Sequence, residues 1–341
     1  MRRLLTRKVL FITLGLIVCT GILLSFPTIL TYEAKRTQEH AFSAMDAQFP
    51  VTVHPVEKSI IEDPQVEAYL DRPGSPLQAA VGNVWGVLAD LFAALAVSIA
   101  DSPWYERLAG AAGSTDRLIS LSPGMRKEQV AANFANVLHW TLAQKKEFLT
   151  PSPYSSLPLI EGSFPPGLYA LSKDTTPKMA QALINDRFSK EVLARYGTST
   201  AQIVPLQDAL TIASLIEREA GGPEDRRIIS GIIWNRLFSG MHLQIDATLQ
   251  YAKANALSSG SWWPRLYPAD QFRKSPYNTY LHAGLPPAPI ANPSIASVLA
   301  ALNPRKTSCL FYFHDALGGF HCSETYAEHV SLLKKYYGRG K

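Results

Sequence analysis

Residues 207–222 read QDALTIASLIEREAGG, and the spacing of their apolar side chains decides how the middle of the chain is built. Ala209, Ile212, Ala213, Ile216 and Ala220 recur at the three- and four-residue intervals that place side chains on one face of an α-helix. Gly221 and Gly222 then end the pattern, as glycine does where a chain leaves a helix. A helix is therefore predicted over 207–220, with two carboxylates, Glu217 and Glu219, in its last turn.

The two acids differ in their surroundings. Glu217 has Ala213 and Ser214 at i−4 and i−3 and stands at the margin of the apolar stripe. Glu219 has Leu215 and Ile216 at those positions and Ile212 at i−7, a more apolar patch. Loss of hydration there, with the negative end of the helix dipole, raises the expected pKa of Glu219 and favours its protonated form near neutral pH. A protonated carboxyl is what glycosidic cleavage requires, because the leaving alkoxide must receive a proton. Arg218 projects elsewhere on the helix. An ERE triplet at a helix end is equally compatible with solvated surface charge, so the local pattern leaves both readings open.

Two further segments carry candidate chemistry. In IIWNRLFSGMHLQIDATLQYA, 232–252, Asn235 and Arg236 lie on a helix ending at Gly240, with Gln244, Asp246, Thr248 and Tyr251 after it. Amides and carboxylates beside aromatic rings suit a sugar-binding groove, although Asp246 is also placed to cap the next helix. In SPYNTYLHAGLPPAPIANPS, 275–294, Tyr277, Asn278 and Tyr280 precede a run of prolines, which suits a preformed wall as well as a simple core cover.

Outward from these, a strand at 117–122 and a helix at 127–138, with Val130, Phe134, Val137 and Leu138 on one face, form a small unit around Pro123-Gly124. Residues 151–170 are rich in Pro and Gly and read as a long loop or linker. Helices follow at 177–195 and 206–220. The stretch 261–293 has too many prolines for regular structure. A short helix at 294–302, a hairpin at 309–323 and a helix at 324–336 complete the chain. Helices predominate and no βαβ repetition is present, so the class is α+β.

The N-terminus is of another kind. Arg2, Arg3, Arg7 and Lys8 precede Val9–Leu30, which carries no charge and spans about 33 Å as a helix at ~1.5 Å per residue, enough to cross a bilayer core. A cleaved signal peptide shares the basic start, but no small-x-small site follows, and Val18 before Cys19 argues against a lipoprotein site. The expectation is a single membrane anchor with a cytoplasmic tip and an exported body. Residues 33–75 read as a polar stalk. Val81–Ala100 carries only Asp90 and is read as a helix packed on the body or lying in the interface, since a second span would return the body to the cytoplasm.

Composition agrees with a folded, basic protein. The 341 residues are 47% hydrophobic and 18% charged, with net charge +5, so a sizeable core is available and anionic surfaces are natural partners. No Lys/Arg run occurs beyond the first eight residues, which argues against nucleic acid. Of three cysteines, Cys309 and Cys322 flank the hairpin and can bridge it if the register brings them together. His314, His321 and His329 have no recognised ligand spacing and read as surface or core histidines. No metal or cofactor is expected.

Taken together, ASLIEREAGG, NRL, GMHLQIDATLQYA, SPYNTYLHAGLPPAPIANPS, ALNP and SETYAEH resemble, in order and spacing over about 205–330, the YceG-like (MltG) family of endolytic murein transglycosylases. Weaker likeness extends to EGSFPPGLY, 161–169, and to LSPGMRKEQVA, 121–131, which is similar to the family's small LysM-like module. The resemblance implies an anchor and basic tip over 1–32, a divergent region over 33–115, a LysM-like module over 116–150 and a mainly helical catalytic domain with a C-terminal hairpin over 151–341. It implies Glu219 as the catalytic acid/base. The glycan would be positioned by Glu217, Asn235, Arg236, Gln244, Asp246, Thr248, Tyr251, Tyr277, Asn278 and Tyr280. The implied reaction cuts the β-1,4 bond between N-acetylmuramic acid and N-acetylglucosamine and leaves a 1,6-anhydro end. The implied partners are peptidoglycan strands, the bacterial cytoplasmic membrane and, as a candidate, a peptidoglycan synthase. A water-using hydrolase, with Asp246 or Glu224 as second carboxylate, and a non-catalytic wall-binding scaffold are the alternatives. Phe320 and Cys322 depart from the family pattern in the hairpin.

Overall fold

The computed structural model describes residues 48–71, 116–150, 160–256 and 261–338. The apolar stretches 9–30 and 81–100 lie outside them, and among the described residues no helix is long and apolar enough to cross a membrane.

The QDALTIASLIERE segment is helical over Leu206–Glu219, and every residue from Ala209 to Ile216 is buried. Such a helix is covered on all sides, which makes it the central rod of the larger core. Counting in chain order among the described residues, five α-helices precede it: α1 (Pro64–Asp71), α2 (Lys127–Val137), α3 (Leu142–Leu149), α4 (Pro177–Phe188) and α5 (Thr198–Ile203). The central helix is α6, followed by α7 (Asp225–Phe238), α8 (Asp246–Ala256), α9 (Ile295–Leu302) and α10 (Tyr326–Tyr337). α6 packs on α9 and α7, with alanines at 209, 213, 296, 300 and 301 in the buried core. α7 meets the chain after α9 through Gly231, where an added Cβ would fall 2.2 Å from the Arg305 carbonyl oxygen. The predicted helix at 177–195 is divided: α4 ends at Phe188 and the chain continues as a π-helical turn, Ser189–Leu193.

The end of α6 departs from expectation in one detail. The helix closes on Ala220 in an extended conformation and not on a left-handed glycine. Gly221 is required for a different reason: a Cβ there would stand 2.8 Å from His314 Nε2. The backbone passes close beneath the C-terminal hairpin at this point.

Three two-stranded antiparallel sheets accompany the helices among the described residues, giving the α+β class. β1 (Val53–His54) pairs with β2 (Ser59–Ile60), β3 (Asp116–Leu121) with β4 (Gly167–Ser172), and β5 (Phe311–His314) with β6 (Phe320–Ser323). β4 lies in the stretch expected to be a loop, so β3, α2, α3 and β4 form one β-α-α-β unit that crosses the boundary expected at 150. Its core stacks Phe134 on Phe148 with ring centroids 5.0 Å apart, and Ile119, Leu121, Tyr169 and Leu171 from both strands close over them. Asn292 fastens this unit to the larger core. Its Oδ1 accepts from Gly162 and Phe164 N–H, and its Nδ2 donates to the Met125 carbonyl and to Glu161.

Residues 48–71, expected within a stalk, are part of the larger core. Phe49, Val53 and Leu70 are fully buried there. Thr52 N–H donates to the Leu302 carbonyl, Asn303 Nδ2 donates to the Pro50 carbonyl, and the Arg227 guanidinium pairs with the Glu67 carboxylate. Apolar side chains too widely spaced to form a stripe of their own are covered here by helices far along the sequence.

Candidate active site

Glu219 stands at the C-terminal end of α6, where the helix emerges into a cleft of about 420 Å³. Arg236, Leu243, Gln244, Asp246, Tyr280, the strand Phe311–His314, Tyr326 and His329 line the cleft with it. The Glu219 carboxyl accepts a hydrogen bond from the Tyr312 hydroxyl at Oε2, 2.8 Å away. Burial holds its pKa above the ordinary carboxyl range, and the nearby Asp246 carboxylate pushes the same way. The Tyr312 hydroxyl, the Ala247 N–H and Arg218 pull in the other direction without cancelling burial. The result is an acid kept neutral further up the pH scale than a surface glutamate.

The wall opposite is fixed by backbone capture. Arg236 on α7 donates to the carbonyls of Leu310, His242 and Leu243, so one guanidinium joins the hairpin base to the loop entering α8. That loop brings Gln244 to the rim with φ 53, a left-handed conformation uncommon outside glycine. Its N–H donates to the Thr279 carbonyl, and Ile245 N–H donates to the Thr279 hydroxyl. Asp246 opens α8 and accepts from the Tyr280 hydroxyl at 2.6 Å.

Of the residues singled out in the sequence, Arg236, Gln244, Asp246 and Tyr280 therefore share the cleft with Glu219. The others lie elsewhere. Glu217 turns toward the start of α9, where Oε2 accepts from Ser294 N–H at 2.9 Å, Ser294 Oγ at 2.6 Å and Ser297 Oγ at 2.8 Å. It serves the helix end as an acceptor and does not reach the cleft. Asn235 donates to the Thr307 and Cys309 carbonyls and secures the hairpin base. Thr248 is buried against Thr279, and Asn278 donates to the Gln271 and Arg273 carbonyls within its own turn. Tyr251 and Tyr277 pack with their rings tilted and centroids 4.8 Å apart beside Arg126, in a separate cluster around the buried Glu161.

The hairpin supplies what the sequence reading passed over. Strand alternation turns Tyr312 toward Glu219 at the end of α6 and His314 toward Asp225 at the start of α7, where Nε2 and Oδ2 stand 2.7 Å apart, and turns Phe313 toward Tyr336 and Tyr337 on α10. Cys309 and Cys322 are disulfide-bonded across its base, with Cα atoms 5.8 Å apart. The signal was available in LFYFH, a strand with Tyr and His on one face. Two of the three histidines read as surface or core, His314 and His329, face the cleft. Glu224, considered as a second carboxylate, is exposed and is not among the cleft's lining residues.

Comparison with known proteins places this geometry. The YceG-like family model matches residues 98–335. Over 133 residues the chain is 40% identical to a Bacillus subtilis protein named endolytic murein transglycosylase, an alignment covering 39% of this chain and 35% of that protein. It is 31% identical over 163 residues to a protein of the same name from Streptococcus pneumoniae, covering 47% of this chain and 29% of that one. The aligned stretches thus make up about a third of those relatives' length. Among solved structures, a yceG-like protein of Listeria monocytogenes superposes with TM-score 0.52 and 27% identity, over 63% of this chain and 75% of that one.

Proposed function

Because the chain belongs to the YceG-like family, we propose that it is an endolytic lytic transglycosylase of peptidoglycan in which Glu219 acts first as acid and then as base. The observation that carries this reading is one desolvated carboxyl at the end of a buried helix, opening on a cleft of polar groups and rings. Glu219 protonates the oxygen leaving the muramic C1. The C6 hydroxyl of the same sugar then attacks C1 while the carboxylate takes its proton. An internal nucleophile gains effective molarity and needs no positioned water, so a second catalytic carboxylate is dispensable. Arg236, Gln244, Asp246 and Tyr280 offer hydrogen bonds to hydroxyl and acetamide groups, and Phe311 and Tyr326 offer rings to sugar faces. On this reading the stretch 9–30 anchors the protein in the cytoplasmic membrane with the described residues outside, within reach of nascent strands and their synthase.

The test is digestion of purified glycan strands by wild type and Glu219→Gln, with mass analysis of the released ends. Anhydro ends, one water lighter than hydrolytic ends, are expected from wild type, with a loss of at least ~10²-fold in the variant. Reducing ends would favour the water-using hydrolase, for which Asp246 is the second carboxylate in the cleft. Undiminished cleavage by Glu219→Gln would remove Glu219 from the mechanism.

A further inference from the structure

A carboxyl that gives up a proton and later accepts one works best when its two oxygens have distinct roles. Tyr312 makes them distinct. Its hydroxyl donates to Glu219 Oε2 at 2.8 Å, and the tyrosine is itself held firmly. Its ring stacks on Phe320 across the hairpin, its backbone pairs with Cys322, and the Cys309–Cys322 disulfide closes the base. The other groups facing the carboxyl are the Ala247 N–H and the Asp246 carboxylate from α8, with Arg218 on α6 itself. Arg236 from α7 and Tyr280 stand beside Tyr312.

On the reading that Glu219 is the acid/base, we propose that Tyr312 is its positioning residue: by donating to Oε2 it leaves the transferable proton on Oε1, and it holds the carboxylate that remains after transfer. The Oε1–H bond breaks as the glycosidic oxygen takes the proton, and the C1–O electron pair leaves with that oxygen. The C6 oxygen then bonds to C1 and its proton returns to the carboxylate, so nothing is consumed from solvent. A hydrogen bond to an ionised acceptor is roughly twice as strong as one to a neutral acceptor. Tyr312 therefore favours the charged state against the burial that favours the neutral one, and the balance between them fixes the pH range in which the residue can do both jobs.

Tyr312→Phe keeps the ring on Phe320 and removes only the donor. We expect kcat to fall ~10–100-fold with KM within about twofold, and the basic limb of the kcat–pH profile to move up by about one pH unit. A purely structural role would lower the melting temperature and leave that limb in place. A fluorinated tyrosine at 312 preserves the ring and strengthens the donor, so it must move the limb down, and it serves equally if the Phe variant folds poorly. The Glu219 carboxyl titration, followed by ¹³C NMR in the folded proteins, must shift in the same two directions. An unchanged limb and an unchanged carboxyl titration in either variant would overturn the proposal. Wild type that yields no anhydro ends would overturn the proposed reaction instead, while the carboxyl titration would still decide whether Tyr312 acts on Oε2.

Discussion

Glu217 and Glu219 are two residues apart on one helix and meet different neighbours. The local contrast that favoured Glu219, larger apolar neighbours one turn back, was legible because it depends on helix geometry alone. The occupation of Glu217 was not, since the serines that donate to it lie 77 and 80 residues away, a distance over which helix periodicity carries no information. The same holds for Tyr312, 93 residues beyond Glu219 and brought to it by hairpin pairing. Glu217→Ala should strip Ser294 and Ser297 of their shared acceptor at the start of α9. A loss of about 1–3 kcal/mol is expected, read as a melting temperature lower by roughly 2–4 °C per kcal/mol in a body of this size. The pH profile of cleavage per folded molecule should stay where it is; a displaced limb would mean that Glu217 reaches the cleft after all.

At the level of elements, the C-terminal hairpin is the part on which the cleft most depends. Its strands were legible from the apolar run LFYFH, the turn DALGG and the cysteines on either side, whereas its docking on α6 was not. β4 was hidden for a different reason. Its six residues follow directly on Pro165 and Pro166, and the turn chemistry of the flank outweighed a short alternation in GLYALS. α10 begins with a reciprocal cap in which Thr325 Oγ1 accepts from Glu328 N–H and Glu328 Oε2 accepts from Thr325 N–H, a pattern readable in TYAE. The disulfide closes a loop with a sequence separation of 13 residues, and a loop of this size is worth about 3 kcal/mol in the chain-entropy treatment. Reduction, or the paired change Cys309→Ser and Cys322→Ser, should lower the melting temperature and reduce cleavage more than stability alone explains, because Tyr312 and His314 ride on the strand it fastens. Equal activity with and without reductant in the folded protein would show that the β5–β6 ladder suffices.

Across the molecule, the seam between the β-α-α-β unit and the larger core holds a buried acid, Glu161, whose pKa burial pushes up to about 8. Glu128 adds to the rise, while the Lys127 N–H, Arg126 and Lys127 moderate it, and Asn292 and Tyr251 complete its surroundings. The unfolded chain releases this proton near the ordinary value of 4.5, so the folded form holds a proton that the unfolded form has lost over the interval between. The contribution is full below pH 4.5 and declines as pH rises through 8, by on the order of a few kcal/mol. Denaturant midpoints measured from pH 5 to 9 should fall accordingly, and Glu161→Gln should flatten that part of the decline; an equally steep fall in the variant would assign it to other groups. The seam was not legible, because Glu161 sits in a Pro- and Gly-rich stretch with no periodicity. Residues 48–71 were misread for the same reason, since the cover for Phe49 and Val53 is supplied from far along the chain. The bond from Asn303 to the Pro50 carbonyl spans 253 residues and has a consequence for how the protein comes into being. Among the described residues the smaller core lies wholly within 119–184, whereas the larger one joins residues near 50 to residues near 300, so its final collapse waits for the far end of that span. At ~5–20 residues per second the ribosome needs roughly 13–50 s to make the 253 residues from Pro50 to Asn303. Until then Pro50 and Thr52 lack the partners at the end of α9 that hold their backbone, and the edge of the larger core beside them stays open.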